Sequence, residues 1–193
     1  MPVPVRRSPL ALVLLVLLTE APMHPYRMRE LIKERAKDKI VNVTQRNSVY
    51  QAIDRLTRDG LIQVHEVTRE PGRPERTVYA LTDLGAETAV SWLREMLSTP
   101  SAEYPDMPAA LSSIPLLSPE EVAACLEARV RALRAELAEL EVEVPLPRLF
   151  LLEDEYTAVL RRAEVGWLES VVADLRSGEL SWPAQWPRGS AAD

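Results

Sequence analysis

One cysteine, one phenylalanine and six glycines in 193 residues put several architectures out of reach. Cys125 has no second thiol to pair with, so no internal disulfide staples the fold, and a reducing, cytoplasmic setting is expected. Aromatic residues make up only 5 % of the chain, which leaves Leu, Val and Ala to fill most of the core. With glycine scarce, sixteen prolines do most of the punctuation, as suits helices with sharp starts and stops. The longest apolar run, Leu10 to Leu18, spans nine residues, far short of the ~20 that cross a bilayer. The Thr19-Glu20-Ala21-Pro22 that follows lacks the small-residue cleavage pattern of a secretory signal. No membrane association is expected.

Catalytic chemistry is equally thin. His24 and His65 fall on different elements with no motif joining them to Cys125 or to a carboxylate pair, and the phosphate-binding and zinc-binding signatures are absent. Glu153, Asp154 and Glu155 are consecutive, so on a helix they point in different directions and make a poor metal site. No enzymatic site, cofactor or metal is expected. What remains, 47 % hydrophobic and 27 % charged residues, is the composition of a globular protein.

The charge is unevenly placed. Residues 1–82 carry 14 Lys and Arg against 9 Asp and Glu, or +5; residues 83–193 carry 9 against 20, or −11; the sum is the net −6. A basic half joined to an acidic one suggests contact with an anionic polymer at one end.

Ser8 as N-cap and Pro9 at the first helical position open a helix to about Glu20 that is apolar nearly all round, hence central to the first lobe. A second helix starts at His24-Pro25 and runs to about Ala36. Thr44 is the expected cap of a third, which ends where Gly60 supplies a left-handed residue. Val49, Ala52, Ile53 and Leu56 fall on one face of it, while Asn47, Tyr50, Gln51, Asp54, Arg55 and Arg58 fall on the other, with Gln45, Arg46 and Ser48 in the first turn. Residues 61–68, "LIQVHEVT", alternate as a strand, and 76–81, "RTVYAL", make a second. Between them Pro71-Gly72 and Pro74 turn the chain, beside Arg69, Arg73 and Arg76. Thr82 caps a fourth helix, with a stripe through Leu84, Thr88, Val90 or Ser91, Trp92, Met96 and Leu97.

Residues 98–117 hold four prolines and are read as an irregular connector or hinge. Ser118, Pro119 and Glu121 then form a capping box, followed by Val122, Leu126, Val130, Leu133, Leu137, Leu140 and Val144 at heptad spacing. Pro145 and Pro147 end that helix. A last long one carries Leu152, Tyr156, Val159, Leu160, Ala163, Trp167, Leu168, Val171, Val172 and Leu175 up to Ser177-Gly178, and residues 183–193 are expected to be a disordered tail.

Two helices, a turn, a third helix with a polar outer face and a hairpin with a basic tip describe a winged helix-turn-helix. The major groove admits one helix and is read by side-chain donors and acceptors on base edges. Gln45, Arg46, Asn47 and Gln51 are of those types, and Arg73 and Arg76 suit phosphate or minor-groove contact. "APMHPYRMRELI" (21–32), "NSVYQAIDRLTRDGLI" (47–62) and "RTVYALTDLG" (76–85), in that order and spacing, resemble the signature blocks of the PadR family of bacterial transcriptional regulators. "AEVGWLESVVADLRSGELSW" (163–182) is similar to the C-terminal helix of the larger, Vir-like PadR branch. Where PadR proteins usually have Gly before the tyrosine of the second helix, this chain has Pro25, which fits a first helical position.

The resemblance implies a mainly α fold with a small hairpin: a DNA-binding lobe over residues 1–97 and a helical dimerisation lobe over 118–182. It also implies that Ser48, Tyr50 and Arg55 join the DNA surface, and that the protein is a homodimeric repressor on a palindromic operator, released by a small-molecule or other signal. The apolar seam is then expected to meet a second copy through Leu126, Leu133, Leu137, Leu140, Trp167, Leu168 and Val171. Trp92, Tyr156 and Trp167 are candidates to line a pocket for a small hydrophobic or aromatic effector. An adaptor that keeps the winged helix but binds protein is the rival reading; it would expose apolar groups over residues 45–58.

Overall fold

In the computed structural model the chain divides into two compact units, Met1–Ala102 and Glu103–Asp193. The structure describes residues 7–43, 46–68, 76–100, 105–142 and 145–183.

Helix α1, Pro9–Glu20, starts as its caps dictate: the Ser8 hydroxyl accepts from the Ala11 N–H at 3.1 Å. Leu14, Leu15, Leu17 and Leu18 are all buried, so α1 forms the centre of the first core. Helix α2, Pro25–Glu34, is capped by the His24 imidazole, whose Nδ1 accepts from the Tyr26 N–H at 3.0 Å. It stops about two residues sooner than its pattern predicts, because Ala36 takes a left-handed φ of 53°. A single 3-10 turn, Lys37–Lys39, leads on, and Val41 and Val43 sink into the core as anchors of the connection to α3. Thr44, the expected cap, lies outside the described residues.

Helix α3, Arg46–Arg58, buries Val49, Ala52, Ile53 and Leu56, as their spacing predicts. Gly60 closes it at φ 71°, with Leu61 N–H donating to the Leu56 carbonyl at 2.9 Å and Gly60 N–H to the Thr57 carbonyl at 3.0 Å. This is the paired closure that a left-handed residue permits.

Strands β1, Ile62–Thr68, and β2, Arg76–Leu81, form an antiparallel ribbon running from Ile62 opposite Leu81 to Thr68 opposite Arg76. The expected alternation is not seen: Leu61 and Ile62, adjacent at its base, are both buried. Past Ile62, residues Gln63 to Val67 are all exposed, and the register shifts between Val64 and Glu66. A bulge of this kind tightens the twist and lifts the ribbon away from the core that would otherwise sort its two faces. The Pro- and Gly-rich tip, 69–75, lies outside the described residues.

Thr82 caps α4, Asp83–Ser98: its hydroxyl oxygen accepts from the Gly85 N–H at 3.0 Å and lies 2.8 Å from the Gly60 carbonyl. At Gly85 a side chain is excluded by space, since a Cβ there would stand 2.0 Å from the Leu61 carbonyl oxygen. The buried stripe of α4 is Gly85, Ala89 and Trp92, with Met96 half-buried; this corrects the predicted stripe, of which Leu84, Val90 and Leu97 are exposed. The close approach at Gly85 sets which face turns inward, and a glycine carries no hydrophobic signal.

The second unit begins with a second correction. The proline-rich stretch contains a helix, α5, Asp106–Leu111, and a 3-10 turn, Ile114–Leu116. Its prolines open these elements, Pro105 at the N-cap, Pro108 in the first turn and Pro115 inside the 3-10 start, where no backbone donor is lost. Helix α6, Pro119–Leu140, carries the predicted capping box: Ser118 N–H donates to Glu121 Oε2 at 2.8 Å, and Glu121 N–H to the Ser118 hydroxyl at 3.3 Å. After a 3-10 turn, Arg148–Phe150, helix α7, Leu152–Ser177, ends at Gly178 in a left-handed conformation. Helices α6 and α7 pack on each other as a hairpin, and Val122, Leu126, Val130, Leu133 and Leu137 meet Ala158, Val165, Leu168 and Leu175 in its core. No helix among the described residues is long and apolar enough to cross a membrane.

Candidate nucleic-acid interface

Because α3 spends its apolar face on the core, most of its described polar side chains lie on the outward face or along its edges. Asn47, Gln51, Asp54 and Arg58 are exposed, Tyr50 keeps 42 % of its surface in water, and Arg55 is half-buried. The Ser48 hydroxyl donates to the Asn42 carbonyl at 3.1 Å, which ties the first turn of α3 to the chain leading into it. Gln45 lies outside the described residues, and Arg46 is described only as the first residue of α3.

Strand β2 is held against this platform by a contact that the sequence does not announce. Met23, in the turn between α1 and α2, pairs with Tyr79: each N–H donates to the other's carbonyl, at 3.0 and 3.1 Å. The ribbon is thereby fixed to the helix-turn-helix at both ends of β2's apolar half, through this bridge and through Thr82. Met23 lies in the 21–32 block, but nothing in that block points to Tyr79; only the fold brings a turn residue to the edge of a strand.

Electrostatics record the same crowding. Burial and then the nearby Asp54 carboxylate and Tyr50 phenol push the Tyr79 hydroxyl above its ordinary pKa, so α3 and β2 meet at these side chains. Burial and then the Arg76 guanidinium hold the His24 imidazole below its usual value, which keeps it neutral and able to accept the Tyr26 N–H. Among the described residues no ion pair involves Arg55, Arg58 or Arg76. Their charges are available to an outside anion. Arg73 lies outside the described residues.

The residues expected to face a second copy divide. Leu126, Leu133, Leu137 and Leu168 are buried, and Leu140 and Val171 half-buried, inside one chain's own α6–α7 hairpin. The seam is covered without a partner, because α7 folds back along α6 and presents a complementary stripe. Trp167 alone of that set is exposed. With it, Leu152, Tyr156, Val159, Leu160 and Ala163 leave an apolar band on the other side of α7. The single long stripe read from the sequence is thus two stripes, one facing α6 and one facing outward. The effector candidates also separate: Trp92 is buried in the first unit, whereas Tyr156 and Trp167 stand exposed on α7.

Residues 13–90 match the model of the transcriptional regulator PadR-like family. No significant match occurs among curated proteins. Among solved structures, Bacillus subtilis PadR in complex with operator DNA is similar at a TM-score of 0.63 and 22 % identity, over 86 % of this chain and 98 % of that one. The same protein in complex with p-coumaric acid gives 0.65 at 20 % identity, over 86 % and 98 %. The Vibrio cholerae virulence activator AphA gives 0.62 at 20 % identity, over 88 % and 99 %. At such identities these structures share the fold: a winged helix followed by a helical region.

Proposed function

From the match of residues 13–90 to the PadR-like family of transcriptional regulators, we propose that the chain is a member of that family and a sequence-specific DNA-binding repressor acting as a homodimer in the cytoplasm. The observation that carries the reading is the division of α3: four apolar residues committed to the core, and an outward face of Asn47, Gln51, Tyr50 and Arg58. Helix α3 enters the major groove, where Asn47 and Gln51 read base edges and Tyr50, Ser48 and Arg55 meet the backbone. Arg46 and Gln45 add to the first turn, and Arg73 and Arg76 carry the wing to the adjoining phosphates.

The second copy docks on the outward band of α7, Tyr156, Leu160 and Trp167, which stays in water in a single chain. A two-fold pair then calls for a palindromic operator with half-sites one or more helical turns apart. A small aromatic or hydrophobic effector releases the DNA; the p-coumaric acid complex of the B. subtilis protein supports that class of signal. The adaptor reading finds little support on α3, whose outward face is polar apart from Tyr50.

A gel shift on the DNA upstream of the protein's own coding sequence tests this. Affinity should fall by about 10³ or more between 50 and 200 mM salt if six or more phosphates are contacted. Asn47→Ala should relax sequence preference, and Arg76→Ala should weaken all sequences alike. Salt-independent binding, or equal affinity for a scrambled duplex, defeats the proposal. A reporter behind the same DNA reads the direction of control, and a rise in transcription with the protein present would make it an activator.

A further inference from the structure

The proline-rich stretch does more than connect. Helix α5 and the 3-10 turn after it lie beside the first turns of α6 and form with them a half-open cavity of about 480 Å³, within the range of small-molecule sites. Met107, Leu111, Ile114, Leu116, Leu117 and Cys125 line it, all within the second unit. The roof is anchored on both sides. Met107 and Ile114 pack on the α6–α7 core, and the Trp182 indole N–H, beyond the end of α7, donates to the Leu117 carbonyl at 2.9 Å. Pro108 and Pro115 stiffen the two elements that make the roof, so little ordering is left for an occupant to impose. Leu116 and Leu117 nevertheless remain 84 % and 42 % exposed, apolar surface that an occupant would cover.

The charge of the lining narrows the occupant. Among the described residues Arg129 is its only charged member, and its guanidinium is already engaged, with Nε and an NH2 donating to Glu164 Oε1 at 2.7 and 2.6 Å. A carboxylate ligand would have to displace Glu164 or sit beside it. Ser113, the polar hydroxyl of the wall, donates to the Ala109 carbonyl at 3.3 Å and keeps acceptor capacity for one donor. We propose that this cavity binds a neutral, largely apolar small molecule of about two or three rings, with at most one hydrogen-bonding group. The site is built wholly by the second unit, so it stands or falls apart from DNA binding.

Cys125, exposed and on the wall, is the chain's one thiol and marks the position. The full-length protein is titrated with N-phenyl-1-naphthylamine, a neutral dye, and with its anionic relative 8-anilino-1-naphthalenesulfonate. Alkylation of Cys125 by iodoacetamide is timed with and without each dye. Saturating neutral dye should slow alkylation at least about fivefold, and the anionic dye should not, since occupancy masks the thiol in proportion to the bound fraction. Cys125→Trp, which fills the cavity, should weaken the neutral dye about tenfold, a loss of about 1.4 kcal/mol, with circular dichroism and melting unchanged. Leu93→Ala, on an exposed face of α4 in the first unit, should leave that affinity as it was, and Trp167→Ala, on the outward band of α7, tests the rival site. Alkylation indifferent to neutral dye in the wild-type protein overturns the proposal without reliance on any variant. So does dye binding that follows Trp167 in place of Cys125, or equal protection by the anionic dye.

Discussion

In the first unit, α1 is buried on nearly every side, Leu14, Leu15, Met28, Ile32, Ile53 and Leu56 are almost fully enclosed, and the polar face of α3 is left for another purpose. In the second, α6 and α7 bury one stripe each, and Phe150, Tyr156, Val159, Leu160 and Trp167 remain in water. The arginines divide in the opposite sense. Most of those of the second unit are spent internally: Arg129 on Glu164, Arg134 on Glu169, Arg161 on Glu136, Arg162 on Glu141 and Arg176 on Glu120 and Glu127, each joining α6 or its end to α7, with Arg131 the exception among them. Arg55, Arg58 and Arg76 of the first unit have no such partner among the described residues. Both units leave some apolar side chains in water, Leu97 and Val16 in the first among them, and Arg7, Arg27 and Arg35 of the first are paired with Glu95, Glu34 and Glu20; the contrast lies in the arginines left free beside α3 and β2 and in the continuous apolar band on α7. This suits two different outside partners, a polyanion for the first and an apolar surface for the second.

The contrast can be broken at graded points. The largest effect is expected at Gly85, where a methyl carbon would stand 2.0 Å from the Leu61 carbonyl oxygen, deep inside van der Waals contact. Gly85→Ala should destabilise the first unit by about 3 kcal/mol, read as a shift in its denaturant midpoint. An unshifted midpoint would mean that α4 can move away from Leu61 freely.

Next comes the outward band of α7. Leu160→Asp should turn a dimer into a monomer, with a loss of about 2 kcal/mol or more per interface in analytical ultracentrifugation. Leu133→Ala should instead destabilise the single-chain hairpin by about 2 kcal/mol or more, since Leu133 is buried within it. If Leu133→Ala dissociated a still-folded dimer, the division of the two stripes would be wrong.

Smaller effects sharpen the picture. Ser118→Ala removes one half of the capping box and should lower the stability of α6 by about 1 kcal/mol, read by circular dichroism on melting. Acid should act on the second unit too. The Ser118 hydroxyl and backbone N–H hold the Glu121 carboxyl below its ordinary pKa, and the Arg148 guanidinium does the same for Glu155. A carboxyl with a lowered folded pKa contributes stability that is complete above its unfolded value and disappears as pH falls through the folded one. The melting temperature should therefore drop as pH goes from neutral to about 3, and drop less in Glu121→Gln. The smallest expected change is a gain: Ala36→Gly relieves a left-handed alanine and should stabilise the first unit by up to about 1 kcal/mol.

Much of this was legible in the residues. Ser8, Thr82, Ser118, Gly60 and Gly178 announce helix ends because capping is local chemistry, decided within three or four positions. The two faces of α3 follow from its 3.6-residue period, and with them the candidate DNA surface. The heptad spacing of α6 correctly marked a buried seam, yet it could not name the partner helix. The prolines of 105–117 read as breaks because the elements they open, six and three residues long, are too short to show a helical period after them.

What the sequence determined alone is therefore the long helices and the two strands, most of their caps, the sorting of α3 and the separation of charge, since each depends on neighbours along the chain; α5 and its 3-10 turn escaped it. Only the tertiary structure decided that Met23 pairs with Tyr79, that Gly85 admits Leu61, that α7 covers α6 within one chain and that a cavity lies under α5. These depend on which surfaces meet across long separations, and a hydrophobic stripe carries the demand for burial without the address of what buries it.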